Sequence, residues 1–143
     1  SKVGEEGFLM QLGTLSGNPV ACVAGLKTME ILRREDSHKK MRDDGKKLKA
    51  IFKKYLEPTG IDYKILGDDT LFDVVFTNKD IKNYRDYISA DSDLYQKFNT
   101  SLRANGVFKP PGKVYVSSVL TQDDFTLTEN AIQAAANDIV RHS

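Results

Sequence analysis

The spacing of the apolar residues changes at Pro58-Thr59-Gly60, and that change limits what the chain can fold into. Ahead of it, apolar positions recur at helical intervals. Pro19 suits a first turn, where its missing N–H costs nothing. From there Val20, Ala21, Val23, Ala24, Leu26, Met29, Ile31 and Leu32 predict a helix to about Arg34. Its wide apolar surface predicts burial on more than one side. Asp36 or Ser37 starts a second helix, with Met41, Leu48, Ile51, Phe52 and Tyr55 facing inward and lysines and aspartates facing out. After Gly60 the pattern is strand-like: Tyr63, Ile65 and Leu66, a turn at Gly67-Asp68-Asp69, then Leu71 to Phe76. Residues 77–90 follow neither period, with Tyr84 and Tyr87 as candidate anchors. A helix from about Asp91 turns Leu94, Tyr95, Phe98 and Leu102 inward and ends at Asn105-Gly106. Val107-Phe108 begins a strand that Pro110-Pro111-Gly112 interrupts, and Val114 to Ser117 reads as the third main strand. Thr121 to Asp124 reads as a capping box with Asp in place of Glu. Phe125, Leu127, Ile132, Ala135, Ile139 and Val140 line the last helix. The order α-α-β-β-α-β-α predicts an α+β fold, a small and mainly antiparallel sheet of about three strands packed with helices.

At 143 residues and 40% hydrophobic content the chain can build one real core. The 21 Lys and Arg nearly cancel the 20 Asp and Glu, so no broad basic surface is expected and nucleic acid is not an expected partner. One cysteine excludes an internal disulfide and suits a reducing cytoplasm. Cys22, set among Val20, Ala21, Val23 and Ala24, reads as a buried small residue. No apolar run is long enough to span a membrane. The opening SKVGEEGFL lacks the basic-then-apolar order of a secretory leader, so none is expected.

One stretch carries more polar chemistry than a helix start requires: Gly13 to Ala21, GTLSGNPVA. Ser16 or Asn18 would cap the helix, and that alone accounts for Asn18-Pro19. Gly13-Thr14 and Ser16-Gly17 go further. Glycines let a backbone approach a ligand closely, and a threonine hydroxyl with backbone N–H groups suits a phosphate. These residues leave both a plain capped loop and an anion site open. No Gly-Lys-Ser/Thr follows, so the spacing is not that of a P-loop.

The longer run GTLSGNPVACVAGLKTMEIL resembles the start of the small domain in class III, pyridoxal-phosphate-dependent aminotransferases, and within them the aminomutase branch. LFDVVF resembles the family's aromatic-rich strand. SADSDLYQKFNTSLRANGVF resembles a segment in which an Asp and an aromatic precede a helix ending in Gly-Val. VSSVLTQDDF resembles the closing strand, Thr cap and last helix. The resemblance covers nearly the whole chain. It implies the C-terminal domain of a fold-type I enzyme, with residues 1–19 a connecting segment that carries the cofactor-phosphate motif and residues 20–143 the small domain. It implies pyridoxal 5'-phosphate as cofactor of the full-length enzyme. It implies Thr14 as a cofactor-binding residue that contacts the phosphate across a dimer interface, with Ser16, Gly17 and Asn18 shaping the turn. The implied partners are a large cofactor-binding domain of the same protein, a second copy in a homodimer, and a small amino, keto or amino-aldehyde substrate.

In that family the Schiff-base lysine and the acid at the pyridine nitrogen lie upstream of the motif. Here only Lys2 precedes Thr14, and it is too close to it. No catalytic residue is therefore expected within the chain, which alone should not catalyse transamination. The alternative is a standalone, non-catalytic α+β module that keeps this fold for interaction or regulation. The chain also departs from the family. Lys113-Val114-Tyr115-Val116 lacks the arginine that many members carry for a substrate carboxylate, which disfavours an ω-aminotransferase of that kind. The segment 107–117 is short and carries Pro110-Pro111-Gly112, and Leu120 stands where the aminomutases commonly have His. No metal ligands are assigned: His38 and His142 are far apart and read as surface. Asp43-Asp44 predict i,i+4 pairs with lysines such as Lys47, and Asp68-Asp69 a turn. Lys46, Lys47, Lys49, Lys53 and Lys54 read as a solvated face. Ser117-Ser118 lacks a nucleophile-elbow pattern. Tyr84, Tyr87, Tyr95 and Phe98 read as core or interface packing.

Overall fold

The computed structural model describes residues 13–34 and 36–141. The chain divides into two compact units, Ser1–Ser37 and His38–Ser143. In the first, helix α1 runs Pro19–Arg34. Asn18 starts it: its Oδ1 accepts the Val20 N–H at 3.0 Å and the Ala21 N–H at 3.2 Å, pairing two of the donors a helix start leaves open. No residue of α1 is buried, and Val20, Val23, Leu26 and Met29 stand exposed. This corrects two expectations, burial of the helix on more than one side and a buried Cys22, which is exposed. The physical reason is that α1 has no second layer over it among the described residues of its unit, and an apolar pattern alone does not supply a cover.

The second unit is an antiparallel sheet packed with helices. Helix α2 spans Ser37–Leu56, and a short 3-10 turn, Glu57–Thr59, ends at Gly60 with φ +71°. Strands β1, Lys64–Asp68, and β2, Leu71–Val75, form a hairpin with Lys64 opposite Val75 and Asp68 opposite Leu71. Helix α3 is a single turn, Tyr84–Ile88, opened by a capping box between Asn83 and Asp86. Helix α4 covers Ser92–Ala104, with Asp91 capping through the Leu94 N–H. Strand β3 is Val114–Tyr115, paired with Phe72 and Leu71, and α5 covers Gln122–Arg141. The strand order is β1-β2-β3. The expected capping box before α5 is present: Asp124 Oδ2 accepts the Thr121 N–H at 2.8 Å, and Thr121 Oγ1 accepts the Asp124 N–H at 3.3 Å.

One core joins these elements. Phe52 of α2 meets Phe72 edge-to-face at 5.9 Å, and Phe76 meets Phe98 of α4 at 5.4 Å, with Leu102, Ile132 and Ile139 also buried. Several expectations shift. β1 runs on through Gly67 and Asp68, so the turn contracts to Asp69-Thr70; Gly67 permits this at φ +114°. β3 has two residues rather than four, although the Val116 N–H still reaches the Thr70 carbonyl at 3.1 Å. Leu127 and Val140 face outward, as does Tyr84, which is 74% exposed and anchors nothing in the core.

Helix α2 grips the hairpin turn. Arg42 pairs with Asp68 at 2.9 Å, and Lys49 donates to Asp69 Oδ1 at 2.9 Å and to the Gly67 carbonyl at 3.0 Å. Lys49 is therefore not on a solvated face; it lies over the Phe72 ring at 5.3 Å. Asp43 pairs with Lys39, and Asp44, buried, with Lys40 and Lys47. Gly45 is where the helix touches the turn: a Cβ there would overlap the Asp69 carbonyl oxygen. In an exposed helix Gly→Ala gains about 1 kcal/mol. Here Gly45→Ala is expected to lose about 1–3 kcal/mol through overpacking, read as a lower urea midpoint.

Asp68 supplies a pH signature. The Thr70 N–H, then the Arg42 guanidinium and the Thr70 hydroxyl, hold its carboxyl down to about 2, against 3.8 ordinarily. A depressed folded-state value favours folding above the unfolded value and loses that contribution as pH falls from 3.8 toward about 2. Asp68→Asn should flatten the stability–pH curve in that window and leave its shape above it unchanged, as measured by urea titrations across pH.

Candidate functional site

The one expected site residue, Thr14, lies in the tight turn before α1. The Ser16 N–H donates to the Gly13 carbonyl and the Asn18 N–H to the Leu15 carbonyl, both at 3.1 Å. Gly17 takes φ +76°, which side chains rarely adopt. At Gly13 a Cβ would stand 2.6 Å from Ser16 Oγ. The turn's backbone thus demands glycine at position 17, while at Gly13 only the rotatable Ser16 hydroxyl stands in the way. Of the two caps weighed from sequence, Asn18 takes the role. Thr14 is exposed, and its hydroxyl and N–H have no hydrogen-bond partner among the described residues. Two available donors in a glycine-bounded turn, just ahead of a helix start, fit a phosphate oxygen.

A second polar cluster was not legible in the sequence. Asp73 of β2 and Lys109, which follows α4, form an ion pair at 3.1 Å with side chains only 7% and 8% exposed. Tyr95 of α4 completes it. Its hydroxyl donates to Asp73 Oδ2 at 3.0 Å, accepts from Lys109 Nζ at 2.8 Å, and accepts from the Gly112 N–H. Tyr95 is therefore a hydrogen-bonding residue as well as a packing one. The available signal was Asp73 itself, a carboxylate inside the apolar run LFDVVF. A strand buried on both faces obliges such a group to find a cation.

The remaining candidates play structural parts. Glu129 joins α5 to α2 through Lys54 at 2.6 Å and the Tyr55 hydroxyl at 2.9 Å, and these partners, Lys54 first, hold its carboxyl below the usual range. His38 and Ser117 are exposed, while His142 and Lys2 lie outside the described residues. Among the described residues no group of three or more His, Cys, Asp or Glu could hold a metal ion, and no helix is long and apolar enough to cross a membrane.

No family model matches the chain. Glutamate-1-semialdehyde 2,1-aminomutase of Methanopyrus kandleri is 32% identical to it over 138 residues, which are 94% of this chain and 32% of that protein. An omega-transaminase from Sphaerobacter thermophilus superposes with a TM-score of 0.78 at 24% identity, over 92% of this chain and 30% of the other. A transaminase solved with PLP bound gives 0.74 at 20% identity, over 94% and 30%. At these identities the two structures speak for the fold alone. The chain spans about a third of the length of the curated relatives it matches. The chain is thus related in sequence to about a third of glutamate-1-semialdehyde 2,1-aminomutase and shares its fold with a similar share of the transaminases.

Proposed function

We propose that the chain is the C-terminal small domain of a pyridoxal-phosphate-dependent aminotransferase or aminomutase similar to glutamate-1-semialdehyde 2,1-aminomutase. The observation that carries this reading is the 138-residue match to that enzyme, which takes in 94% of this chain and only 32% of that protein. On this reading residues 1–19 are the connecting segment with the phosphate motif, and residues 20–143 are the small domain. Its partners are a large cofactor-binding domain and a second copy in a cytoplasmic homodimer, acting on a small amino, keto or amino-aldehyde compound.

When bound, the cofactor supplies the electron sink through which an amino group is moved. This chain's part is to hold it. The Thr14 hydroxyl and N–H donate to the phosphate, where hydrogen bonds to a charged acceptor are strongest. Gly13 and Gly17 let the main chain come close, and Asn18 fixes the turn by tying it to α1. The exposed Val20, Val23, Leu26 and Met29 give α1 an apolar stripe for the rest of the enzyme to cover. The Schiff-base lysine belongs to the large domain, so the chain alone is inactive.

The test extends the reading frame upstream of the Ser1 codon and compares that product with the 143-residue chain. The short chain should lose added pyridoxal phosphate on desalting and show no transamination. The longer product should keep the cofactor, and Thr14→Ala in it should weaken retention about ten- to a hundredfold. Unchanged retention removes Thr14 from the site, and a frame with no upstream domain removes the enzyme reading.

A further inference from the structure

Residues 107–113 form a strap between α4 and β3. The main chain fastens its ends: the Val107 N–H donates to the Leu102 carbonyl at 2.9 Å, and β3 pairs with β2 for two residues. Its middle has little main-chain support. Pro110 and Pro111 have no N–H to give. The Lys113 N–H reaches only the Pro110 carbonyl, within the strap itself, and Phe108 is exposed. Side chains hold the middle instead. Lys109 Nζ donates to Asp73 and to Tyr95, and the Gly112 N–H donates to the Tyr95 hydroxyl. That hydroxyl also donates to Asp73, so its one proton and both lone pairs are used. Beneath the strap lies an apolar cavity of about 230 Å³, walled by Leu48, Phe52, Leu102 and Phe125 from the helices and by Val107 and Pro110 from the strap.

We propose that residues 108–113 are a lid closed by one side-chain latch, Tyr95–Lys109–Asp73, and that the lid opens as a local unit over this cavity while the helices and sheet stay folded. Opening breaks a few charge-assisted hydrogen bonds and almost no main-chain ladder. As the strap lifts, water reaches both the ammonium and the carboxylate, so neither charge is stranded in the interior. The helical walls keep their packing on the core. A segment with few backbone hydrogen bonds and one fastening is the kind that opens below the cost of global unfolding.

Residue-resolved hydrogen exchange on the whole chain tests this. Tyr95→Phe keeps the ring and removes the hydroxyl. The Gly112 and Lys113 amides should then exchange about ten- to a hundredfold faster, while Phe52, Ile132 and Ile139 stay within about twofold of the parent. A second variant, Lys109→Met with Asp73→Asn, removes both charges together, leaves none buried alone, and should release the same two amides. Unchanged exchange at Gly112 in either variant overturns the latch. Equal acceleration in the strap and in the helices overturns local opening.

Discussion

Strand β2 is buried on both faces, and most of the second unit is arranged around that fact. Phe72, Asp73, Val74 and Val75 are all sealed from water. Phe72 and Val74, continued by Phe76, look toward the aromatic core built with Phe52 and Phe98. Asp73 and Val75 alternate onto the opposite face. A carboxylate there is tolerable only when it is paired and hydrogen-bonded. Lys109 and Tyr95 meet that demand, and in doing so they bind the strap and α4 to the same strand. One polar residue in an apolar run thus decides where a whole connection lies.

Much of this was legible in the sequence where the deciding interactions are local. Asn18-Pro19, Asp91 and Thr121 to Asp124 announce helix starts because a cap bonds residues two or three positions away. The run LFDVVF announces a strand by composition alone. Legibility fails where distant residues decide. The turn at Asp69-Thr70 is set by α2 pressing on the hairpin through Gly45 and Lys49, some 20 residues earlier. The inner face of α5 is narrower than its apolar pattern, so Leu127 and Val140 face out. Cys22 is exposed despite its apolar neighbours, because such neighbours show that a face wants cover, not that cover is present. Thr14 lies within a compact motif that the sequence displays, whereas Asp73, Tyr95 and Lys109 are brought together only by the fold.

The two units use their polar groups differently. The turn at 13–18 closes on two backbone bonds inside itself and leaves Thr14 exposed. The sheet unit turns its most buried ion pair inward and ties both partners to the Tyr95 hydroxyl. The first arrangement suits recognition of something outside the chain, and the second suits holding the chain in one shape.

The three-stranded sheet has two open edges, and both are poor templates for a foreign strand. β1 is bracketed by Lys64 and Asp68 and carries Gly67 at φ +114°, while β3 offers two residues soon after Pro110-Pro111. Short edges, charge and proline are the devices by which sheet proteins resist edge-to-edge growth. The exposed apolar side chains of α1 carry no such safeguard. Any clinging of copies of this chain to one another is therefore expected through helix side chains and not through a growing cross-β ladder.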